Sequence, residues 1–317
     1  MRTGLTHRSR RRTLAVIVAM AAVVAVGAVP AGAVTQTSPT VRPSAERNTA
    51  VVPTYTVLQE VPVADLQANT NGICTLGATA VLKNAAGTFN AVNYLNVAQA
   101  CGLKVIFSFP DTVDYSTGVV YPSKVAAWVN KVKSHPATWG YLSVKEPAIS
   151  HVNASEIRSL YSAFKAADPN HPVMALFGDI PHFGASTNPY TAGMANVVMV
   201  DWYPVETTNG TNTTYLTGGS TWFPKVKSYV ASRTPGVPVW LMVQTHKYLA
   251  PSTHKKQRPT WTLLNREVRD GFSYLGAKGI AFHTWRNTNY AMDELRDPQM
   301  VSWMKAIVGS IKAGTFK

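Results

Sequence analysis

The 317-residue chain predicts an α/β fold, a single (β/α)8 TIM barrel. Three observations carry that expectation. Eight short apolar runs recur between Tyr55 and Trp285, and stretches at helical spacing separate most of them. Several runs, such as Val105-Ile106-Phe107 and Val197-Val198-Met199-Val200, are continuously apolar, the pattern of parallel strands buried on both faces. Acids, amides and imidazoles gather where the runs end, on the side where barrels of eight parallel strands keep their chemistry.

In chain order the strands are expected at Tyr55–Glu60, Thr79–Lys83, Lys104–Phe109, Thr138–Val144, Val173–Phe177, Val197–Tyr203, Val237–Gln244 and Gly279–Trp285. The first helix with clear punctuation runs from Phe89 to Ala100, with Gly102 as its stop. Ser123 to Lys133 alternates Val and Ala with Lys. Asn153-Ala-Ser-Glu156 is a cap followed by a first-turn acid, and that helix reaches Ala167 before Asp168-Pro169. Trp222–Ser232, Leu263–Gly276 and Asp297–Ile311 complete the set. The competing arrangement is an open doubly wound sheet, but no Gly-rich phosphate loop follows any strand.

Residues 1–33 read as a bacterial export signal. Arg2, Arg8, Arg10, Arg11 and Arg12 head an apolar run from Leu14 to Ala28, and Ala31-Gly32-Ala33 offers a cleavage site. Ser9-Arg10-Arg11-Arg12-Thr13-Leu14 partly fits a twin-arginine signal. A membrane anchor is the alternative, for which the apolar run is short. Residues 34–52, rich in Thr, Ser, Pro and Val, read as a disordered leader or linker, which leaves 53–317 for the barrel. The mature protein is therefore expected to be extracellular, with no stable membrane insertion after cleavage, and a monomer. Cys74 and Cys101, the only cysteines, are expected to pair there.

The formal net charge is +14, and removing the five leader arginines leaves +9. That balance suits anionic surroundings such as wall polymers or acidic polysaccharide, although solubility alone explains it equally well. A nucleic-acid partner fits poorly with an export signal. No Gly-x-Ser-x-Gly elbow is present. His246, His254, His283 and Asp201 lack metal-ligand spacing, so no metal and no cofactor are expected. The strand ends bring Gln59, Glu60, Lys83, Asn84, Asp111, Asp114, Glu146, Asp179 and Asp201 to one face. Trp202, Tyr203, Gln244, His246, His283, Trp285 and Arg286 join them. Aromatic faces with acids and amides suit a sugar, whose ring has apolar faces and whose rim has hydroxyls.

The stretch His135-Pro-Ala-Thr-Trp-Gly-Tyr-Leu-Ser-Val-Lys-Glu-Pro147 resembles the fourth-strand segment of the large clan of (β/α)8 glycoside hydrolases. Asn196–Pro204, Pro238–Gln244 and Lys278–Trp285 resemble its sixth, seventh and eighth strands. The resemblance spans about Tyr55 to about Trp303 and implies a polysaccharide or oligosaccharide substrate. It places Glu146 as the general acid, and it implies sugar contacts for Trp285, Trp202, Tyr203, Gln244, His246, Asp111, His283 and Arg286. Two departures stand out. Lys145 occupies a position that is an acid in many relatives, and strand alternation turns it toward the helices or rim. No Asp or Glu occurs from Thr207 to Arg266, so the strand-seven nucleophile of a retaining enzyme is missing. Asp201, with Asp179 and Asp111 in reserve, is then the second carboxylate, either as an inverting base ~6.5–9.5 Å from Glu146 or as an unusual nucleophile. Substrate assistance is disfavoured, because Ser143 and Lys145 stand where its acids would precede Glu146. The other reading is a binding protein that cleaves nothing. The basic run His254–Arg258 is either an anion contact or a solvated loop.

Overall fold

The computed structural model describes residues 55–208, 212–246, 256–285 and 297–316. Residues 1–33, the 34–52 segment, His254 and Arg286 lie outside the described residues. In chain order the strands are β1 (Tyr55–Gln59), β2 (Ala80–Asn84), β3 (Lys104–Ser108), β4 (Thr138–Lys145), β5 (Val173–Phe177), β6 (Val197–Trp202), β7 (Val205–Thr208), β8 (Asn212–Tyr215), β9 (Val239–Gln244) and β10 (Gly279–His283). The helices are α1 (Val63–Gln67), α2 (Ala91–Ala100), α3 (Pro122–Val132), α4 (Pro147–Ser150), α5 (Ala154–Ala167), α6 (Gly219–Arg233), α7 (Trp261–Asp270) and α8 (Pro298–Lys312).

Eight strands close into a parallel barrel in the order β1-β2-β3-β4-β5-β6-β9-β10, with β10 pairing back to β1. The fold is the expected (β/α)8 barrel. The seventh and eighth barrel strands are β9 and β10, because an antiparallel hairpin, β7–β8, is inserted after the sixth. That hairpin was not anticipated. Its strands are rich in Thr and carry little apolar periodicity, so its pairing shows only in three dimensions.

Two apolar layers follow from period-2 alternation. Val57, Ala80, Leu82, Ile106, Leu142 and Met174 fill the barrel with Leu176, Met199, Trp240, Met242 and Ala281. Tyr55, Trp139 and Trp240 plug its amino end, with ring centroids 5.0–5.2 Å apart. Leu58, Val105, Phe107, Val144, Val198, Val200 and Phe282 face the helices instead. Asn153 caps α5 by a full capping box with Glu156, as its spacing predicts. Cys74 and Cys101 are disulfide-bonded with Cα atoms 4.7 Å apart. The bond ties the turn after α1 to the end of α2, closing a loop whose restriction in the unfolded chain stabilises by about 3–4 kcal/mol. Among the described residues no helix is long and apolar enough to cross a membrane.

Candidate active site

Continuing the inward phase of each strand past the apolar layers reaches a polar ring at the carboxyl end: Gln59, Asn84, Ser108, Gly178, Asp201, Gln244 and His283. Strand β4 breaks phase. Its register against β5 shifts between Leu142 and Val144, the mark of a bulge. Leu142 packs inside the barrel, while Val144 packs in the helix-facing layer. The extra residue brings Lys145 to the mouth, where its Nζ donates to Asn84 Oδ1 at 2.5 Å across the barrel. The expectation that Lys145 faces the helices or rim is therefore corrected: alternation was right locally, and the bulge reset its phase.

Glu146 follows with φ 46°, a left-handed conformation, and begins α4. Glu60 after β1 and Asp179 after β5 do the same, with φ of 59° and 48°. A non-glycine residue there costs about 1–2 kcal/mol and persists where surrounding structure imposes it. For Glu146 the imposing contacts are visible. Ser150 Oγ donates to the Lys145 and Glu146 carbonyls at 3.1 and 2.9 Å. The Tyr115 hydroxyl, from the loop after β3, bonds the Lys145 backbone and lies close enough to Glu146 to feel its charge. Burial pushes that phenol up to about 12. Gly118 of the same loop sits so close to the His151 carbonyl that a Cβ would lie 2.3 Å from the oxygen.

The Glu146 and Asp201 carboxyls are hydrogen-bonded to each other. Burial raises the pKa of Glu146, while the Asp201 bond and the Lys145 charge pull it back. Asp201 is raised further, by burial and then by the charge of Glu146, and the Tyr203 hydroxyl bond offsets part of that. Two buried carboxyls in contact cannot both ionise cheaply, and their mutual bond, which lowers Glu146 and raises Asp201, makes Asp201 the donor and Glu146 the acceptor. The sequence-based separation of ~6.5–9.5 Å for an inverting pair does not apply to carboxyls in contact, nor does the ~5–5.5 Å of a retaining pair. Gly178 makes the contact possible: a Cβ there would lie 2.7 Å from Glu146 Oε1 and 3.0 Å from Asp201 Oδ1. Asn188 anchors this turn through Nδ2, which donates to the Gly178 carbonyl at 2.6 Å.

Tyr203 stacks on His283 at 5.3 Å and meets His246 edge-on at 5.0 Å. His283 Nδ1 bonds Gln59 Oε1, and His246 Nδ1 bonds the His283 carbonyl at 3.0 Å. Both acceptors are oxygens, so both Nδ1 atoms carry hydrogen. Burial disfavours the charged form of each ring: it lowers His246 to about 4 and His283 well below its ordinary value, the latter helped by His246 and Lys145.

Other expected site residues are placed elsewhere. Gln244 is fully buried. Its Oε1 accepts from Val205 N at 2.9 Å, and its Nε2 donates to the carbonyls of Val205, Gln257 and His246. The amide pins the β7–β8 hairpin to the segment after β9, and no part of it is left for a sugar. Trp285 is fully buried in the helix-facing layer, with Nε1 donating to Asp65 at 2.8 Å. Trp202, one residue past inward Asp201, packs outward near Phe223. Neither indole forms the expected sugar platform. Asp111 spends both oxygens on Trp128 Nε1 at 2.9 Å, which docks α3. Asp179 stands well exposed and pairs with His182 at 2.9 Å. Of the basic run, Lys256 pairs with Glu206 and donates to the Tyr203 carbonyl, and Arg258 binds Asp297 at 2.5 Å. Their charges hold loops together. The sequence reading placed Gln59 and Asn84 at this face as amides for sugar hydroxyls, but gave no role to Tyr115 or Gly178. Gly178 had a readable signal, a lone glycine in inward phase just beyond a strand.

Among the described residues no group of three His, Cys, Asp or Glu could hold a metal ion. No protein-family model matches the chain, and no curated protein matches its sequence. Solved structures do match in fold. A GH2 β-galacturonidase from Eisenbergiella tayi superposes with TM-score 0.55 at 14% identity, over 80% of this chain and 50% of that one. A family 39 glycoside hydrolase from Bacteroides cellulosilyticus WH2 gives 0.55 at 10%, over 81% and 64%. A β-D-glucuronidase from Dictyoglomus thermophilum gives 0.56 at 10%, over 81% and 50%. The chain spans half to under two thirds of these structures' own lengths. The likeness establishes the (β/α)8 barrel, and identities this low carry the fold alone.

Proposed function

We propose that the protein is an exported glycoside hydrolase acting on a polysaccharide, with Glu146 as proton donor. The observation that supports it is the Glu146–Asp201 pair: two buried carboxyls sharing one proton at the carboxyl end of the barrel, with Gly178 shaped to admit them. A glycosidic oxygen departs only as it gains a proton, and a carboxyl with a raised pKa retains that proton at neutral pH. In the resting pair Asp201 carries the proton and donates it to Glu146; as the glycosidic bond breaks the proton passes along that bond to Glu146 and on to the departing oxygen, and the water that adds to the sugar returns one to the pair. Tyr203 holds Asp201 in place.

The test is reducing-end release across a polysaccharide panel, with Glu146→Gln as control. Glu146→Gln should cut turnover by about 10²–10⁴-fold while melting temperature stays near that of the parent. Turnover that survives the substitution removes Glu146 from the chemistry. Proton NMR of the first-formed anomer then gives the stereochemistry. One observation favours a second reading, a carbohydrate-binding protein without activity: the β9 end, where a retaining barrel carries its nucleophile, holds an amide consumed by backbone. Binding to the panel with no released ends would select it.

A further inference from the structure

Lys145 is a cation brought into the barrel mouth without a counterion. The bond to Asn84 Oδ1 is the ammonium's one hydrogen bond among the described residues, and no described carboxylate lies within the 4.0 Å of an ion pair. The acids around it are already committed. Glu60 pairs with Lys83 at 2.9 Å and accepts from the Asn84 backbone at 3.2 Å, and Glu146 and Asp201 hold each other. Lys83 and His283 also face the ammonium, and neither can neutralise it. A largely desolvated cation with a single neutral partner is unfavourable until an anion completes its shell.

Asn84 supplies the rest of the arrangement. Its Oδ1 accepts from Lys145, so its Nδ2 hydrogens point elsewhere, and Nδ2 has no hydrogen-bond partner among the described residues. Both side chains keep part of their surface open. Two free ammonium hydrogens and an amide NH2 thus converge beside Glu146, with one positive charge between them. A planar monoanion with two oxygens matches that set.

We infer that Lys145 and Asn84 form an anion subsite that takes the carboxylate of a uronic-acid residue next to the bond being cleaved. The inference rests on the hydrolase reading and names its substrate class. Burial holds the Lys145 pKa down while Glu60 and Glu146 prop it up, as for an ammonium whose direct counterion is still to arrive. A bound carboxylate also offsets the pull of Lys145 on Glu146, so an acidic substrate helps the proton donor keep its proton.

The experiment uses the full-length protein and matched polymers: a uronic-acid polysaccharide and its carboxyl-reduced form, and a sulfated glycan and its desulfated form. The acidic polymer should be cleaved at least about tenfold faster than its reduced form, and Lys145→Met should erase most of that margin. Equal rates on the uronate pair, or a margin that Lys145→Met leaves intact, overturns the subsite. A margin confined to the sulfated pair overturns the carboxylate assignment. Cleavage of no polymer counts against the hydrolase reading alone, and calorimetric binding of the uronate pair to the parent and to Lys145→Met then decides the subsite by the same margin. Where Lys145→Met fails to fold, Asn84→Asp places a permanent counterion against Nζ. It should raise melting temperature and abolish the acidic preference, and a preference that persists rejects the inference.

Discussion

The two halves of the barrel mouth bury similar chemistry and use it in opposite ways. On the β4–β6 side, Glu146 and Asp201 partner each other, and Lys145 keeps donors to spare. On the β9 side, Gln244 and Glu267 are fully buried, and their polar atoms go largely to backbone: Gln244 to three carbonyls and an amide, Glu267 Oε1 to Gln244 N at 3.0 Å. A buried polar group satisfied by backbone is structural, because its bonding capacity is spent before any ligand arrives. Carboxyls that bond chiefly to each other remain available for chemistry.

That contrast can be broken by exchange of effects. Asp201→Asn should lower turnover by about 100-fold with melting temperature unchanged or higher, since a buried carboxyl contact is relieved as its proton store is lost. A fall in melting temperature with turnover retained would make Asp201 a structural group. Gly178→Ala comes next: the new methyl reaches both carboxyls, so kcat/KM should drop at least about tenfold and the pH profile should lose the limb set by the pair. Gln244→Ala should behave oppositely, costing roughly 1–3 kcal/mol of unfolding free energy by denaturant titration, with kcat per folded molecule kept. The smallest effect belongs to Glu267, whose carboxyl burial raises well above its ordinary 4.5. The folded chain then keeps a proton that the unfolded chain has released, so this group's contribution to stability falls as pH rises above 4.5. Glu267→Gln should flatten that fall in melting scans. His246 acts in the other direction. Its folded value is lowered to about 4, so its contribution is complete above 6.5 and lost as pH drops toward 4.

Much of the barrel was legible because its signals are local. Parallel strands buried on both faces read as apolar runs, and caps such as Asn153 with Glu156 announce helices within a few residues. The closing of β10 onto β1 follows once eight strands are counted. The site was legible only in part. Glu146 and Asp201 were singled out, but their direct contact depends on Gly178, which arrives from a third strand. Trp202 was misread because one step along a strand reverses the face, and Trp285 because it lies past the end of β10, where strand alternation no longer applies. Asp201 points in while Trp202 packs out, and His283 points in while Trp285, beyond the strand end, packs against Asp65.

By itself the sequence determined the strand and helix periods, the pairing partners Cys74 and Cys101, and the identity of the acids at the strand ends. Those depend on side-chain patterns within short windows. Tertiary structure decided which groups at the mouth remain unspent. The bulge in β4 turned Lys145 inward, and the β7–β8 hairpin consumed Gln244. The physical reason is that a polar side chain's role depends on which donors and acceptors surround it, and those come from strands and loops far apart in the chain.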